Sequence, residues 1–318
     1  MPKKENYKFF NLPKKFDLED YKNAIDGIVK KYSDTPGLLS IYNWGNPSVP
    51  GISDIDIVLV FKANTGGHLP ILKRSFYFLD GNTRYLVAHP FMFIDEKSFE
   101  DIRYIYPDAN LELLHGKKIK IKNLSSDEKY YAGIALLNDI IIRHYPRDFI
   151  VQSISRKINA RDTLLRLNSL KYTVKVLENI KGNKNNEHNR FVSEVEKLRK
   201  NWLKHEDFDS LILLNKEAVK ISMDIIEDFK IFLTENKINK IISSGGNSLR
   251  YNGLKNKTLF IYGWNRKKSL DEMAKAAKSK KKFYSVLPIE LSAQLIEYSK
   301  YDGVISKYIK NNLSKTIS

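Results

Sequence analysis

Two aspartates one residue apart, Asp54 and Asp56, open an otherwise apolar run in the stretch YNWGNPSVPGISDIDIVLVF, Tyr42 to Phe61. Side chains alternate along a strand, so the two acids share one face and Ile55 and Ile57 take the other. Val58 and Val60 continue the first face, and Leu59 and Phe61 the second, which is the pattern of a strand buried on both sides. Two carboxylates this close repel, and one holds its proton unless a cation lies between them. A divalent ion removes the conflict, because Mg2+ takes one or two carboxylates together with substrate phosphates. The pair therefore suits half of a phosphate-transfer metal site, with Mg2+ or Mn2+ on Asp54 and Asp56. The loop before it agrees. Gly45 lets the backbone turn after a strand. Asn46, Ser48 and Ser53 offer short polar side chains and amides beside the acids, which suits a triphosphate. The plainer account is a solvated strand end with an Asx turn, and for a lone D-x-D it is the default.

The elements that must position these residues follow from periodicity and punctuation. Asp17 to Lys31 predicts a helix, with acids at its start and lysines at its end as the helix dipole favours. Leu38 to Trp44 predicts a strand, Asn46 to Ser53 a loop with two prolines and a glycine, and Asp54 to Phe61 a second strand. Ala63 to His68 predicts a turn. Phe76 to Leu79, Arg84 to Ala88 and Phe91 to Ile94 are strand-like, a helix begins within Lys97 to Ile105, and Lys117 to Ile121 alternates like an edge strand. From about Asn123 the pattern becomes helical: Asp127 to His144, Val151 to Lys181, 190–204 and 208–235, with a polar break at 181–189. Ser243 to Gly246 ends that block. Short strand-like pieces follow, Thr258 to Tyr262 among them, then a last helix from Pro288 to about Lys310.

The order helix, strand, glycine-polar turn, Pro/Gly loop, S-D-I-D and apolar strand resembles the signature of the nucleotidyltransferase superfamily related to DNA polymerase beta. The resemblance covers about residues 15–120. It implies an α+β fold: a small nucleotidyltransferase-type mixed sheet with flanking helices over 1–122, then a mostly helical domain over 123–318 that closes on the nucleotide and acceptor. It implies transfer of a nucleoside monophosphate from an NTP such as ATP to an acceptor hydroxyl or phosphate. Gly45 and Asn46 then stand in the glycine-serine turn, with Asn in place of the usual serine, and Asp54 and Asp56 are the metal ligands. The Gly45-to-Asp54 loop is shorter than in many members. The family's third carboxylate falls within Tyr85 to Glu96, where the aligned position carries His89, a candidate ligand or base. Asp95 takes that place under a shifted register. Against both, Asp95 and Glu96 cap the next helix and His89 is a structural histidine before proline. Without a third acid the chain could bind a nucleotide and transfer nothing.

Along 151–181, positions 154, 158, 161, 165, 168 and 172 fall on one face and read Ile, Ile, Arg, Leu, Asn, Tyr. Arg161, Asn168 and Tyr172 are candidates to touch triphosphate or base; an interdomain salt bridge and a buried amide account for the first two equally simply. Lys278 to Lys282, with Arg266, Lys267 and Lys268 upstream and Phe283 and Tyr284 after, could grip RNA or form a solvated loop.

Composition bounds the rest. The 318 residues carry a net charge of +17, and 42% are hydrophobic. Residues 1–120 hold 17 Lys/Arg against 15 Asp/Glu, and the remainder hold 37 against 22. The basic second half suggests an anionic partner, with RNA the alternative to a small-molecule acceptor; a Lys-rich compositional bias would give the same charge. There is no cysteine, so disulfides and thiolate metal sites are excluded. No apolar run of about 18 residues and no leader-like N-terminus is seen, which points to a cytoplasmic protein with no membrane contact.

Overall fold

The computed structural model describes residues 6–62, 79–88, 91–104, 106–108, 110–143 and 145–236. A short strand, β1 (Lys8–Phe10), leads to helix α1 (Leu18–Tyr32). Asp17 starts that helix with a reciprocal cap: its side chain accepts from the Asp20 amide, and the Asp20 carboxylate accepts from its own, so two orphan donors are satisfied at once. Tyr21, Ala24, Ile28 and Tyr32 form the buried stripe of α1.

Strands β2 (Leu38–Trp44) and β3 (Asp56–Phe61) form an antiparallel pair with Trp44 opposite Asp56. Helix α2 (Gly81–Val87) then leads to β4 (Met92–Asp95), which runs parallel to β3 with Val58 opposite Met92 and Phe61 opposite Asp95. Helix α3 (Glu96–Glu100) and a 3-10 turn at Ile102–Tyr104 precede β5 (Leu111–Gly116), antiparallel to β2. The mixed sheet therefore has the order β4-β3-β2-β5.

Helices α4 (Ser126–Arg143) and α5 (Tyr145–Ser155), strand β6 (Lys157–Asn159), and helices α6 (Ala160–Lys181), α7 (Asn186–Asn201) and α8 (Phe208–Glu235) complete the order. β6 pairs in parallel with β1. Asn11 Nδ2 donates to Asn159 Oδ1 at 2.8 Å, and the Arg161 amide donates to the Asn11 carbonyl at 3.1 Å. Among the described residues no helix is long and apolar enough to cross a membrane.

The sheet is covered on both faces. Ile41, Ile55, Ile57, Leu59 and Phe61 pack with Tyr21, Ile28 and Tyr32 of α1 and Leu86 and Val87 of α2. Tyr42, Val58 and Val60 belong instead to a core shared with Phe99, Phe149, Leu164, Phe191 and Phe229. The alternation expected for β3 thus holds, and Asp56, in phase with Val58 and Val60, points to the helical side.

Four local expectations need correction. Arg84 to Ala88 is not a strand; it lies in and just after α2. Asp80 caps that helix by accepting from the Asn82 and Thr83 amides at 3.0 and 2.9 Å, and the cap outweighs the β-preference of Tyr85 and Val87. Asp80→Ala should lower stability by about 1 kcal/mol, measured by denaturant unfolding; an unchanged midpoint would mean α2 does not depend on its cap. Lys117 to Ile121 is not in the sheet, because the ladder to β2 ends at Gly116, whose φ is +86°. The edge strand is the earlier LELLHG. Val151 to Lys181 is not one helix: Arg156 has φ +53° and β6 intervenes, so Ile158 does not share a helical face with Arg161. Asp54 stands just before β3 rather than within it. The readings at 63–68, 76–78, 243–246, 258–262, 266–268, 278–284 and 288–310 lie outside the described residues.

Candidate active site

The acid pair sits where the Gly45–Ser53 loop enters β3, and that loop is held from three sides. Gly45, at φ +84°, donates its amide to the Asn110 carbonyl at 2.9 Å, and its carbonyl accepts from Asn43 Nδ2 at 2.9 Å. The Tyr21 hydroxyl, brought up by α1, donates to the Ser53 carbonyl at 2.5 Å and accepts from the Gly51 amide at 3.0 Å. The Tyr85 hydroxyl of α2 donates to the Gly51 carbonyl at 2.8 Å. Ser53 is buried, and its Oγ accepts from the Val49 amide at 3.0 Å and lies 3.5 Å from Ser48 Oγ. The amides of Gly45, Val49, Gly51, Ile52 and Ser53 are thus all engaged within the protein. Asn46 and Ser48 are exposed beside them. The loop reads as a rigid frame for the acids, with Asn46 and Ser48 as its outward polar groups.

Tyr21 makes this frame sensitive to alkali. Its phenol is 2% exposed and is pushed up from 10.0 to about 12, chiefly by burial, with the Gly51 hydrogen bond and Arg161 pulling it down and Asp54 adding to the rise. Folding raises this pKa, so the folded state keeps the proton longer than the unfolded chain. The associated stability is complete below pH 10 and is lost as the pH climbs towards 12. Tyr21→Phe is expected to blunt the fall in melting temperature over that range. At neutral pH it should cost about 1–2 kcal/mol for the lost bonds to Gly51 and Ser53. An identical alkaline profile in the variant would remove Tyr21 from the account.

The helical side faces the acids with cations. Arg199 of α7 is 3% exposed, and its Nη2 lies 3.3 Å from Ser53 Oγ. Burial pulls its pKa down, and Asp54 is the strongest of the groups drawing it back. Tyr172 of α6 is 54% exposed; its phenol is pushed up by partial burial and then by Asp56, with Arg199 opposing. Lys171 Nζ stands 5.0 Å from the Tyr172 ring centre. Arg161 lies deeper, 3% exposed, its guanidinium 3.7 Å above the Tyr85 ring, and its Nε and Nη2 have no hydrogen-bond partner. The salt bridge considered for Arg161 is therefore replaced by a stacked cation over an aromatic face. Asn168 is half-buried, and its Oδ1 is buried without a partner.

Of the residues singled out in the sequence, Gly45, Asn46, Ser48, Ser53, Asp54 and Asp56 lie along one loop and the start of β3; Tyr172 is close enough for its phenol to be affected by both acids, and Arg161 lies against Tyr85, which holds the same loop. His89 lies outside the described residues. Asp95 is paired with Phe61 at the far end of β4, about 17 Å along the sheet from Asp56 at ~3.3 Å per residue, so it does not join the pair. Among the described residues no group of three His, Asp or Glu side chains could hold a metal. The two aspartates still fit a hard divalent ion, since both are oxygen donors whose charges reach the same Tyr172 phenol and Mg2+ takes its remaining ligands from water and phosphate. Arg199 is the residue the sequence reading missed. Phe191, Val195, Leu198 and Trp202 are the buried stripe of its helix region, and Arg199 lies one turn beyond Val195, so a cation on a buried face was the available signal.

A cavity of about 350 Å3 opens elsewhere, between the end of α6, the start of α7 and α8, lined by Glu178, Lys181, Asn185, His188 and Asp228 among others. It contains none of the residues around the acid pair. Comparison of the chain with protein-family models, with curated proteins and with solved structures finds no match.

Proposed function

We propose that this chain is a cytoplasmic, Mg2+- or Mn2+-dependent nucleotidyltransferase that moves a nucleoside monophosphate from an NTP to a small-molecule acceptor. The observation that carries the reading is the acid pair on the helical side of a doubly buried strand, framed by a rigid glycine loop and faced by Arg199 and Tyr172. A divalent ion on Asp54 and Asp56 would neutralise the phosphates and favour the acceptor oxygen as a nucleophile. The protein's own groups have separate tasks. Tyr21 and Tyr85 fix the loop and so the aim of the acids. Arg199 compensates Asp54 before substrate arrives and presents an N–H to a phosphate oxygen afterwards. Tyr172 offers an exposed ring for a nucleobase. The sheet with α1 and α2 forms the catalytic unit, and the helices from α4 onward form the acceptor side.

The test needs no acceptor. Thermal unfolding is recorded with each NTP, with and without Mg2+ or Mn2+, for the wild type and for Asp54→Asn/Asp56→Asn. A ligand at about 100 times its Kd adds about 2.7 kcal/mol, so one NTP should raise the midpoint only with metal and only in the wild type. No shift with any NTP, at concentrations where ATP enzymes saturate, would count against the reading. Transfer to an RNA end is the second reading, favoured by the excess of cations after residue 120; a steep loss of binding with added salt would select it.

A further inference from the structure

We propose that His188 and Asn185 form a proton-operated latch at the start of α7: an imidazole that takes up a proton from water releases the asparagine from the helix cap, and the first turn opens towards the neighbouring cavity. The latch stands apart from the acid pair and does not depend on the nucleotidyl-transfer reading.

Asn185 is the N-cap of α7. Its Oδ1 accepts from the Glu187 and His188 amides at 3.0 and 3.2 Å, so its Nδ2 is the atom turned to the His188 ring, 3.4 Å from Nε2. An amide nitrogen only donates, so Nε2 accepts and the neutral ring carries its proton on Nδ1. That atom is buried without a partner, and His188 is 1% exposed. A second proton has to go onto Nε2, and two donors then face each other. Asn185 can present its oxygen to the ring only by taking it from the two amides, which uncaps the helix. No carboxylate stands ready for the new charge. Glu178 of α6, Glu187 of α7, and Asp224 and Asp228 of α8 surround the ring, and each is engaged. Glu178 accepts from the Asn185 amide at 2.9 Å and from Asn189 Nδ2 at 2.6 Å. Asp228 pairs with Lys181 at 3.1 Å, and Lys220 pairs with Glu187 and, at 3.9 Å, with Asp224. The positive end of the helix also opposes a cation there. Burial outweighs the four acids and holds the imidazole below its ordinary 6.5. The folded state therefore takes up this proton at lower pH than the unfolded chain. The associated stability is complete above pH 6.5 and is lost as the pH falls below it. Asp224 works in the opposite sense, its carboxyl pushed up by burial. The cavity supplies the room, since Asn185, His188 and Asp228 line it beside the exposed Asn183, Lys184 and Asn186.

The test follows the His188 ring by NMR and the α7 amides by hydrogen exchange from about pH 8 to about pH 5, the range in which histidine changes charge. Exchange is expressed as protection relative to the unfolded chain. In the wild type the ring should titrate below 6.5. Protection of the Glu187 and His188 amides should fall through that window, by about three-fold for each half unit of lowering. His188→Gln keeps a neutral polar side chain and should remove that fall. Asn185→Asp is the sharper variant. Aspartate caps the helix as asparagine does, but its second oxygen accepts from a protonated ring. The ring should then titrate above 6.5, and the first turn should stay closed in acid. Four results would overturn the proposal: a wild-type ring that titrates at or above 6.5, first-turn protection that stays flat while the ring titrates, a His188→Gln profile equal to the wild type, or an Asn185→Asp turn that loosens in acid as the wild type does. Should His188→Gln fail to fold, the wild-type and Asn185→Asp arms decide alone.

Discussion

Asp56→Asn is expected to lower nucleotidyl transfer by about a thousand-fold or more, corresponding to about 4 kcal/mol of lost transition-state stabilisation. The amide keeps the size of the carboxylate but loses the charge that a divalent ion needs. Asp56 is the first residue of β3 and lies opposite Trp44 in the ladder, so its backbone is fixed by the sheet and cannot move another acid into its place. The fold should survive. Removing one of two neighbouring carboxylates relieves their repulsion, so the metal-free melting temperature should hold or rise slightly. Loss of transfer with an unchanged or raised midpoint separates a chemical role from a structural one. Transfer that persists in Asp56→Asn, or a midpoint that drops with it, would contradict this assignment.

Gly51→Ala is expected to damage stability and the site together. Gly51 has φ +80°, and a Cβ there would lie 2.0 Å from the Lys14 carbonyl oxygen and 3.2 Å from its carbon. The obstacle is backbone, which cannot rotate away as a side chain could. The same residue donates its amide to the Tyr21 hydroxyl and accepts from the Tyr85 hydroxyl, so any shift loosens the frame around Ser53 and Asp54. A cost of about 2–4 kcal/mol combines left-handed strain with the clash. Gly45→Ala is the control: φ is +84° but nothing lies within 4 Å of the added carbon, so about 1–2 kcal/mol of conformational strain is expected. Denaturant unfolding of both variants ranks them, and equal losses would show that the Lys14 contact does not matter.

The parts of the site legible in the sequence are those decided by neighbours along the chain. The alternation of Asp54 to Phe61 fixes which residues face which layer, and Gly45, Pro50 and Gly51 mark the loop. The two strands around it pair through that loop alone. What the sequence does not reveal is decided across distance. Arg199 matters because α7 packs it against Ser53, and nothing in its own helix says where that face will land. LELLHG is the edge strand because β2 pairs it, although KKIKI alternates more cleanly; the ladder stops at Gly116, where an added Cβ would meet the Leu39 carbonyl at 2.2 Å. The break at Arg156 is equally hidden, since β6 exists to pair with β1, and its residues carry no punctuation stronger than Asn159. That asparagine caps α6 by accepting from the Asp162 amide.

The pairing of β1 with β6 also orders events in time. Asn11 and Asn159, joined across it, stand 148 residues apart in the chain, whereas β2 and β3 meet through a short loop. Closing a long loop costs entropy before its contacts give anything back. The acid half of the site can therefore form early from a local hairpin. Its cationic half waits until the N-terminal arm has come round to fix the first turn of α6, and Arg161 with it.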